Sequence, residues 1–149
     1  MTTTLTIAEL EQASGRELGT TAWRTIEQEQ VNLFAEATGD RQWIHVDPEA
    51  AVNGPFGGTV AHGYLTLALL PVLIGELLEI SDSSLGVNYG IERIRFPAPV
   101  RTGARIRLLA LLEGSERRAI GIVYRVGVTI EVEGQEKPAL VGEVLYLAA

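Results

Sequence analysis

The segment YLTLALLPVLIGELL, residues 64–78, decides how the rest of the chain folds. It is apolar on every side and broken only by Thr66, Pro71, Gly75 and Glu76. A membrane-spanning helix needs about 20 largely apolar residues. This run is shorter and interrupted, so it reads as a helix buried inside a protein. Downstream the period changes to two. Ile91 to Phe96 alternates, with Glu92, Ile94 and Phe96 on one face and Ile91, Arg93 and Arg95 on the other. Pro97 and Pro99 break the ladder and Thr102-Gly103 turns. Ala104 to Leu112 alternates again, with Ile106, Leu108, Ala110 and Leu112 inward. Gly114-Ser115 reads as a turn into a long strand, Ala119 to Val132. Glu133-Gly134-Gln135 reads as a hairpin turn before a last strand, Ala139 to Leu147. One buried helix followed by a meander of strands predicts an α+β class, an antiparallel sheet wrapped around that helix.

Upstream of the helix the elements are short. Thr6 to Ala13 reads as a helix with Thr6 as N-cap and Ser14-Gly15 as its stop, and Leu18 to Thr25 is weakly strand-like. Glu27 to Thr38 is amphipathic, with Val31, Phe34, Ala35 and Thr38 on one face and Gly39 as the C-terminal stop. Asp47-Pro48-Glu49 starts another helix, with Asp47 as cap. The turn Gly54-Pro55-Phe56-Gly57-Gly58 leads to His62-Gly63. There is no internal repeat and no low-complexity stretch.

Composition narrows the class. At 149 residues, 46% hydrophobic and 21% charged, the chain is expected to form one domain, 1–149, with a sizeable core. No cysteine is present, which removes disulfides, thiolate nucleophiles and thiolate metal sites. Met1-Thr2-Thr3-Thr4 has neither a basic nor an apolar signal region, so a reducing cytoplasm is the expected location. A net charge of −7 argues against nucleic-acid binding. The charge is uneven, however. Residues 86–112 hold five arginines (93, 95, 101, 105 and 107) against Glu92, a local balance of +4, and the remainder stands at −11. Such a strip either attracts a small anion or forms the wet face of a strand.

The residues most suited to chemistry are Asp40 and His45, five apart in the loop after Gly39. A carboxylate beside an imidazole suits water activation and proton return. An Asp after Gly in a loop is most often a turn residue bonding its own backbone. Asp47 reads as a cap, and His62 as a structural residue near a helix start. Two histidines without an i, i+4 spacing give no metal motif.

The string Phe34, Thr38, Gly39, Asp40, Ile44, His45 and Ala51 resembles the signature of (R)-specific enoyl-CoA hydratases, the MaoC-like dehydratase family. Phe56-Gly57-Gly58-Thr59-Val60-Ala61-His62-Gly63 is similar to that family's approach to its central helix. Asn88-Tyr89-Gly90 and Arg95-Phe96-Pro97-Ala98-Pro99-Val100 resemble its post-helix strand. The likeness covers roughly residues 20 to 147, and is nearest to mycobacterial stand-alone hydratases and nodulation protein N-like chains. The family's Asn-Pro is Gln42-Trp43 here, and Pro71 stands where some relatives carry a serine.

The resemblance implies a hot-dog fold, a long helix wrapped by a curved antiparallel sheet and paired into a homodimer. It implies reversible syn hydration of a trans-2-enoyl thioester, carried by CoA or acyl carrier protein, to a (3R)-hydroxyacyl product in fatty acid metabolism. Asp40 and His45 would hold one water against C3, and the backbone N–H of Gly63 would bond the thioester oxygen. Asn88 is carried over as a substrate-binding residue. Arg93, Arg95 and Arg101 are candidates for the CoA phosphates. No metal, cofactor, membrane or nucleic acid is implied. Two rival readings share the fold: a thioesterase, and a non-catalytic acyl-thioester binding subunit.

Overall fold

Thr6 closes one element and opens the next. In a computed structural model describing residues 1–149, strand β1 (Thr3–Leu5) ends just before it and helix α1 (Ile7–Gln12) begins just after. The Thr6 side chain accepts from the Glu9 N–H and the Glu9 carboxylate accepts from the Thr6 N–H, a complete capping box. Strands β2 (Arg16–Thr20) and β3 (Arg24–Thr25) follow, then helices α2 (Gln28–Thr38), α3 (Trp43–Val46) and α4 (Pro48–Val52). Helix α2 ends at Gly39, whose φ of 82° is the left-handed conformation that a glycine takes without a Cβ penalty. Asp47 caps α4, its Oδ1 accepting from the Ala50 N–H at 3.1 Å.

The apolar segment is one helix in sequence and two in space. Helices α5 (Gly63–Ala68) and α6 (Leu70–Gly75) meet at Leu69, and Leu77-Leu78 leave the helix for strand β4 (Leu78–Ile80), which pairs in parallel with β1. Pro71 accounts for the division: it lacks the N–H that would reach the Leu67 carbonyl. The expectation of burial on all sides is corrected as well. Leu65, Leu70, Leu73, Ile74 and Leu77 are buried, but Tyr64 and Val72 are 71% and 53% exposed. No helix is long and apolar enough to cross a membrane.

The long strands are β5 (Gly86–Arg95), β6 (Arg105–Arg118), β7 (Gly121–Val132) and β8 (Leu140–Ala148). With β2 and β3 they form one antiparallel six-stranded sheet in the order β2-β6-β7-β8-β5, β3 pairing with β6 beside β2. Period-two patterning worked well in β6, where Ile106, Leu108, Ala110 and Leu112 all face the core. They pack with Ile122, Val126, Ile130, Leu140 and Val144 against the buried side of α5 and α6.

Two strand expectations fail for one reason, an inserted residue. Gly114-Ser115 is no turn: β6 runs on to Arg118, and the register shift between Leu112 and Gly114 is a bulge. In β5 the register shifts between Asn88 and Gly90 and again between Glu92 and Arg95, with Arg93 at φ 52°. Ile91 therefore lies opposite the core residue Val144, while Arg93 reaches Glu143 on the other face. Gly142 makes room for this bulge, since a Cβ there would stand 2.8 Å from the Arg93 carbonyl oxygen.

Candidate active site

The end of α2, the α3 turn and the start of α5 place two imidazoles and a carboxylate together. The Gly39 stop throws Asp40 out of α2, and Trp43–Val46, expected as loop, forms the helical turn α3 that turns His45 inward. The strand-like segment before α5 lies alongside: the Val60 N–H donates to the Ile44 carbonyl at 2.9 Å. His45 Nδ1 lies 2.6 Å from the Val60 carbonyl oxygen. A carbonyl only accepts, so Nδ1 carries the hydrogen, and in the neutral ring Nε2 is then the nitrogen with the lone pair.

His62, read from sequence as structural, is the site residue that sequence reasoning missed. It is 3% exposed and its ring stacks on His45 with centroids 3.8 Å apart at 23°. Phe34 packs on it at 4.9 Å, so the signature phenylalanine supports the cluster indirectly. His62 Nε2 is 2.8 Å from the Asp40 backbone oxygen, which makes it the donor there. Its Nδ1 is buried without a partner. No local spacing could have announced this contact, because it joins segments that meet only in the folded chain.

Asp40, His45 and His62 each bring a donor atom within 4.8 Å of the others. Two histidines and a carboxylate are also the composition of a metal-binding facial triad. Stacking weighs against that use: nearly parallel rings 3.8 Å apart direct their in-plane lone pairs side by side rather than at one ion. The Asp40 side chain remains 56% exposed and so meets water.

Gly63 is the first residue of α5, where a backbone N–H has no helical acceptor. Beside it lies a cavity of about 260 Å³ lined by Phe56, Ala61, Thr66, Phe96 and Val100 among others. A Cβ on Gly63 would sit 3.3 Å from the Phe96 ring, so a larger residue here would crowd that ring. Neither Asp40 nor His45 lines that cavity. Farther along the helix a second apolar cavity, also about 260 Å³, is bounded by Leu67, Pro71, Ile91 and Tyr146. Asn88 belongs to this second cavity and is not part of the Asp40 cluster. Burial pushes the phenol of the neighbouring Tyr124 up to about 12 and raises that of Tyr146 too, with Tyr124 adding to the latter. Both stay neutral hydroxyls.

The arginine strip is mostly engaged with the protein itself. Arg105 pairs with Glu133 and Arg107 with Glu131, the latter over the Trp23 ring at 4.5 Å. Arg93 lies 3.7 Å from Glu143, and Arg95 donates to the Ile94 carbonyl. Exposed pairs of this kind contribute little to stability. Arg101 donates to the Gly57 carbonyl at 2.7 Å and packs over Gly58, which places it on the turn leading to His62.

A family model for the MaoC-like domain matches residues 9–134. The chain belongs to the MaoC-like family. It is 51% identical to 3-hydroxyacyl-thioester dehydratase Z of Mycobacterium tuberculosis over 99% of this chain and 100% of that one. It is 44% identical to nodulation protein N of Rhizobium meliloti, covering 97% of this chain and 91% of the relative. Among solved structures, the unliganded R-hydratase PhaJ1 from Pseudomonas aeruginosa superposes with a TM-score of 0.76 at 24% identity, covering 97% of this chain and 85% of that one. The likeness shows that the MaoC-like chain described here has the hot-dog fold of the R-hydratases.

Proposed function

We propose that this MaoC-like protein is an (R)-specific 2-enoyl-thioester hydratase, equally a 3-hydroxyacyl-thioester dehydratase in reverse. The observation that carries the reading is the Asp40–His45 pair, with the His45 tautomer set by Val60 so that a basic nitrogen faces the carboxylate's side. The 51% identity to a protein named 3-hydroxyacyl-thioester dehydratase supports the same chemistry.

In the forward direction Asp40 and His45 hold one water over C3. His45 Nε2 takes a proton as the water oxygen bonds C3, and the C2–C3 π electrons move onto the thioester oxygen. The Gly63 N–H stabilises that oxygen, a role for which helix starts are suited. Collapse of the enolate then draws a proton to C2 from the same pair, which returns to its starting state. Every step is a proton transfer or a carbon–oxygen bond change, so the scheme calls on no metal or redox cofactor. The acyl chain is assigned to the side of α5 and α6 where the two apolar cavities lie, with Asn88 at the farther one. Of the strip arginines, Arg101, held on the turn that leads to His62, is the one assigned to a CoA phosphate. We further propose that the protein works in the cytoplasm, consistent with a cysteine-free chain.

A thiol assay separates this reading from its rivals. With crotonyl-CoA, loss of enoyl absorbance without free thiol is the expected result, unchanged by EDTA. Thiol release would mark a thioesterase, and tight binding without turnover a non-catalytic subunit.

The partner we propose is a second copy of the chain. Strand β5 is an open sheet edge, and Leu85, Val87, Tyr89 and Ile91 on it or beside it are all exposed, as are Tyr64 and Val72 on the helices. Soluble proteins cover apolar surfaces and open edges of this extent. Pairing β5 with its symmetry mate would continue the sheet and cover the exposed sides of α5 and α6. Light scattering should give a dimer for the native chain and a monomer for Val72→Arg; a monodisperse native monomer would contradict it.

A further inference from the structure

Next to His45 runs a chain of hydrogen bonds that the reaction scheme leaves unused. Gln28, the first residue of α2, donates from Nε2 to the His45 backbone oxygen at 2.7 Å and to Asn32 Oδ1 at 2.9 Å. Both amide hydrogens are thereby committed. Its Oε1 accepts from the Thr59 hydroxyl at 2.5 Å. Thr59 has only one hydroxyl hydrogen, so its 2.6 Å contact with Thr102 Oγ1 must be donated by Thr102. The chain therefore has one direction, from Thr102 through Thr59 and Gln28 to the His45 carbonyl. Thr59 is 4% exposed, which keeps water from replacing its hydroxyl at the centre of the chain. Thr59 also directly precedes Val60, whose carbonyl sets the His45 tautomer.

We propose that Gln28 is a positioning residue for His45. Its carboxamide, oriented by the Thr102–Thr59 hydroxyl pair, ties the α3 turn bearing the imidazole to the segment bearing the acceptor carbonyl. It fixes the separation of His45 Nδ1 from Val60 O, and hence which ring nitrogen is left basic. A looser tie admits the other tautomer, in which Nε2 carries the hydrogen and cannot accept a proton from water. This rests on His45 as the base in the proposed hydration. The effect belongs in turnover and not in substrate affinity, because Gln28 touches neither cavity.

The test uses the full-length protein with Gln28→Leu, Gln28→Glu, Thr59→Val and Thr59→Ser. Gln28→Glu keeps the side-chain length and the acceptor for Thr59 but removes the N–H aimed at His45. Crotonyl-CoA kinetics are read beside a histidine ¹⁵N–¹H correlation spectrum, which reports the protonated ring nitrogen without any turnover. Gln28→Leu, Gln28→Glu and Thr59→Val should each lower kcat about tenfold with KM within about twofold. They should also give His45 a measurable Nε2–H population. Thr59→Ser, which retains the hydroxyl, should restore both readouts. The double variant Gln28→Leu/Thr59→Val should be no worse than the poorer single one, as members of one chain are non-additive. Wild-type kcat with an unchanged His45 spectrum in Gln28→Glu overturns the proposal, even if Gln28→Leu does not fold. Additive losses in the double variant overturn it as well. If His45→Gln hydrates at the wild-type rate, the hydration scheme itself has failed, and the spectra still show whether Gln28 sets the tautomer.

Discussion

Replacing Asp40 by Asn or His45 by Gln is expected to lower hydration of a short 2-enoyl-CoA by about 10²–10⁴-fold, the range for losing a positioned acid or base. The two changes differ in what they leave behind. Asp40→Asn keeps the backbone oxygen that accepts from His62, and its side chain is largely exposed, so stability should hardly move. His45→Gln removes a ring stacked on His62 and the Nδ1–H bond to Val60, so some stability is lost as well. Thermal unfolding measured beside kcat separates the two effects. A folded Asp40→Asn protein with near-wild-type turnover would remove the carboxylate from the mechanism.

Gly63→Val should be comparably severe, for a steric reason. A Cβ at residue 63 already meets the Phe96 ring at 3.3 Å, and two further methyls must enter the adjoining cavity or push the ring aside. Either outcome disturbs the space around the N–H proposed to bond the thioester oxygen. Losing such a donor typically costs about 10²–10³-fold in turnover. Pairing Gly63→Val with Phe96→Ala supplies the control. If crowding of the ring alone were at fault, the smaller residue would restore activity; if the cavity at the N–H is what matters, it would not. Full activity in Gly63→Val itself would rule out the Gly63 role.

Local rules carried the sequence reading where local chemistry determines structure. Thr6 before α1, Gly39 after α2 and Asp47 before Pro48 act through residues a few positions away, and each is found where it was expected. The inward row of β6 was legible because one wet and one dry face impose a period of two. Readings went wrong where one residue or one partner changes the outcome. A bulge turns Gly114-Ser115 from a hairpin into mid-strand, and another puts Ile91 and Arg93, expected on one face, on opposite faces. Pro71 divides the apolar helix, and its outer side is exposed although Tyr64 and Val72 there are as apolar in sequence as the buried side.

The site follows the same division. Asp40 and His45 stand five apart in one short stretch of sequence and could be read together. His62 and Gln28 lie seventeen residues from His45 on either side and meet it only through tertiary packing. Their side chains carry no pattern of their own, and His62 before a helix glycine looks like an ordinary buried residue. The arginines illustrate the converse: a strong local charge excess, expected at a phosphate site, is largely balanced by Glu131, Glu133 and Glu143 across the sheet.

The account depends on one loop presenting an acid–base pair to a single face of the double bond, so the stereochemical course of addition is the most direct test. Hydration of crotonyl-CoA in D₂O, with the product analysed by NMR and chiral chromatography, should give only the (3R)-hydroxyacyl thioester. Deuterium should enter one C2 position, on the face that received the oxygen. Label at both C2 positions, addition from opposite faces or a (3S) product would contradict a shared Asp40–His45 water.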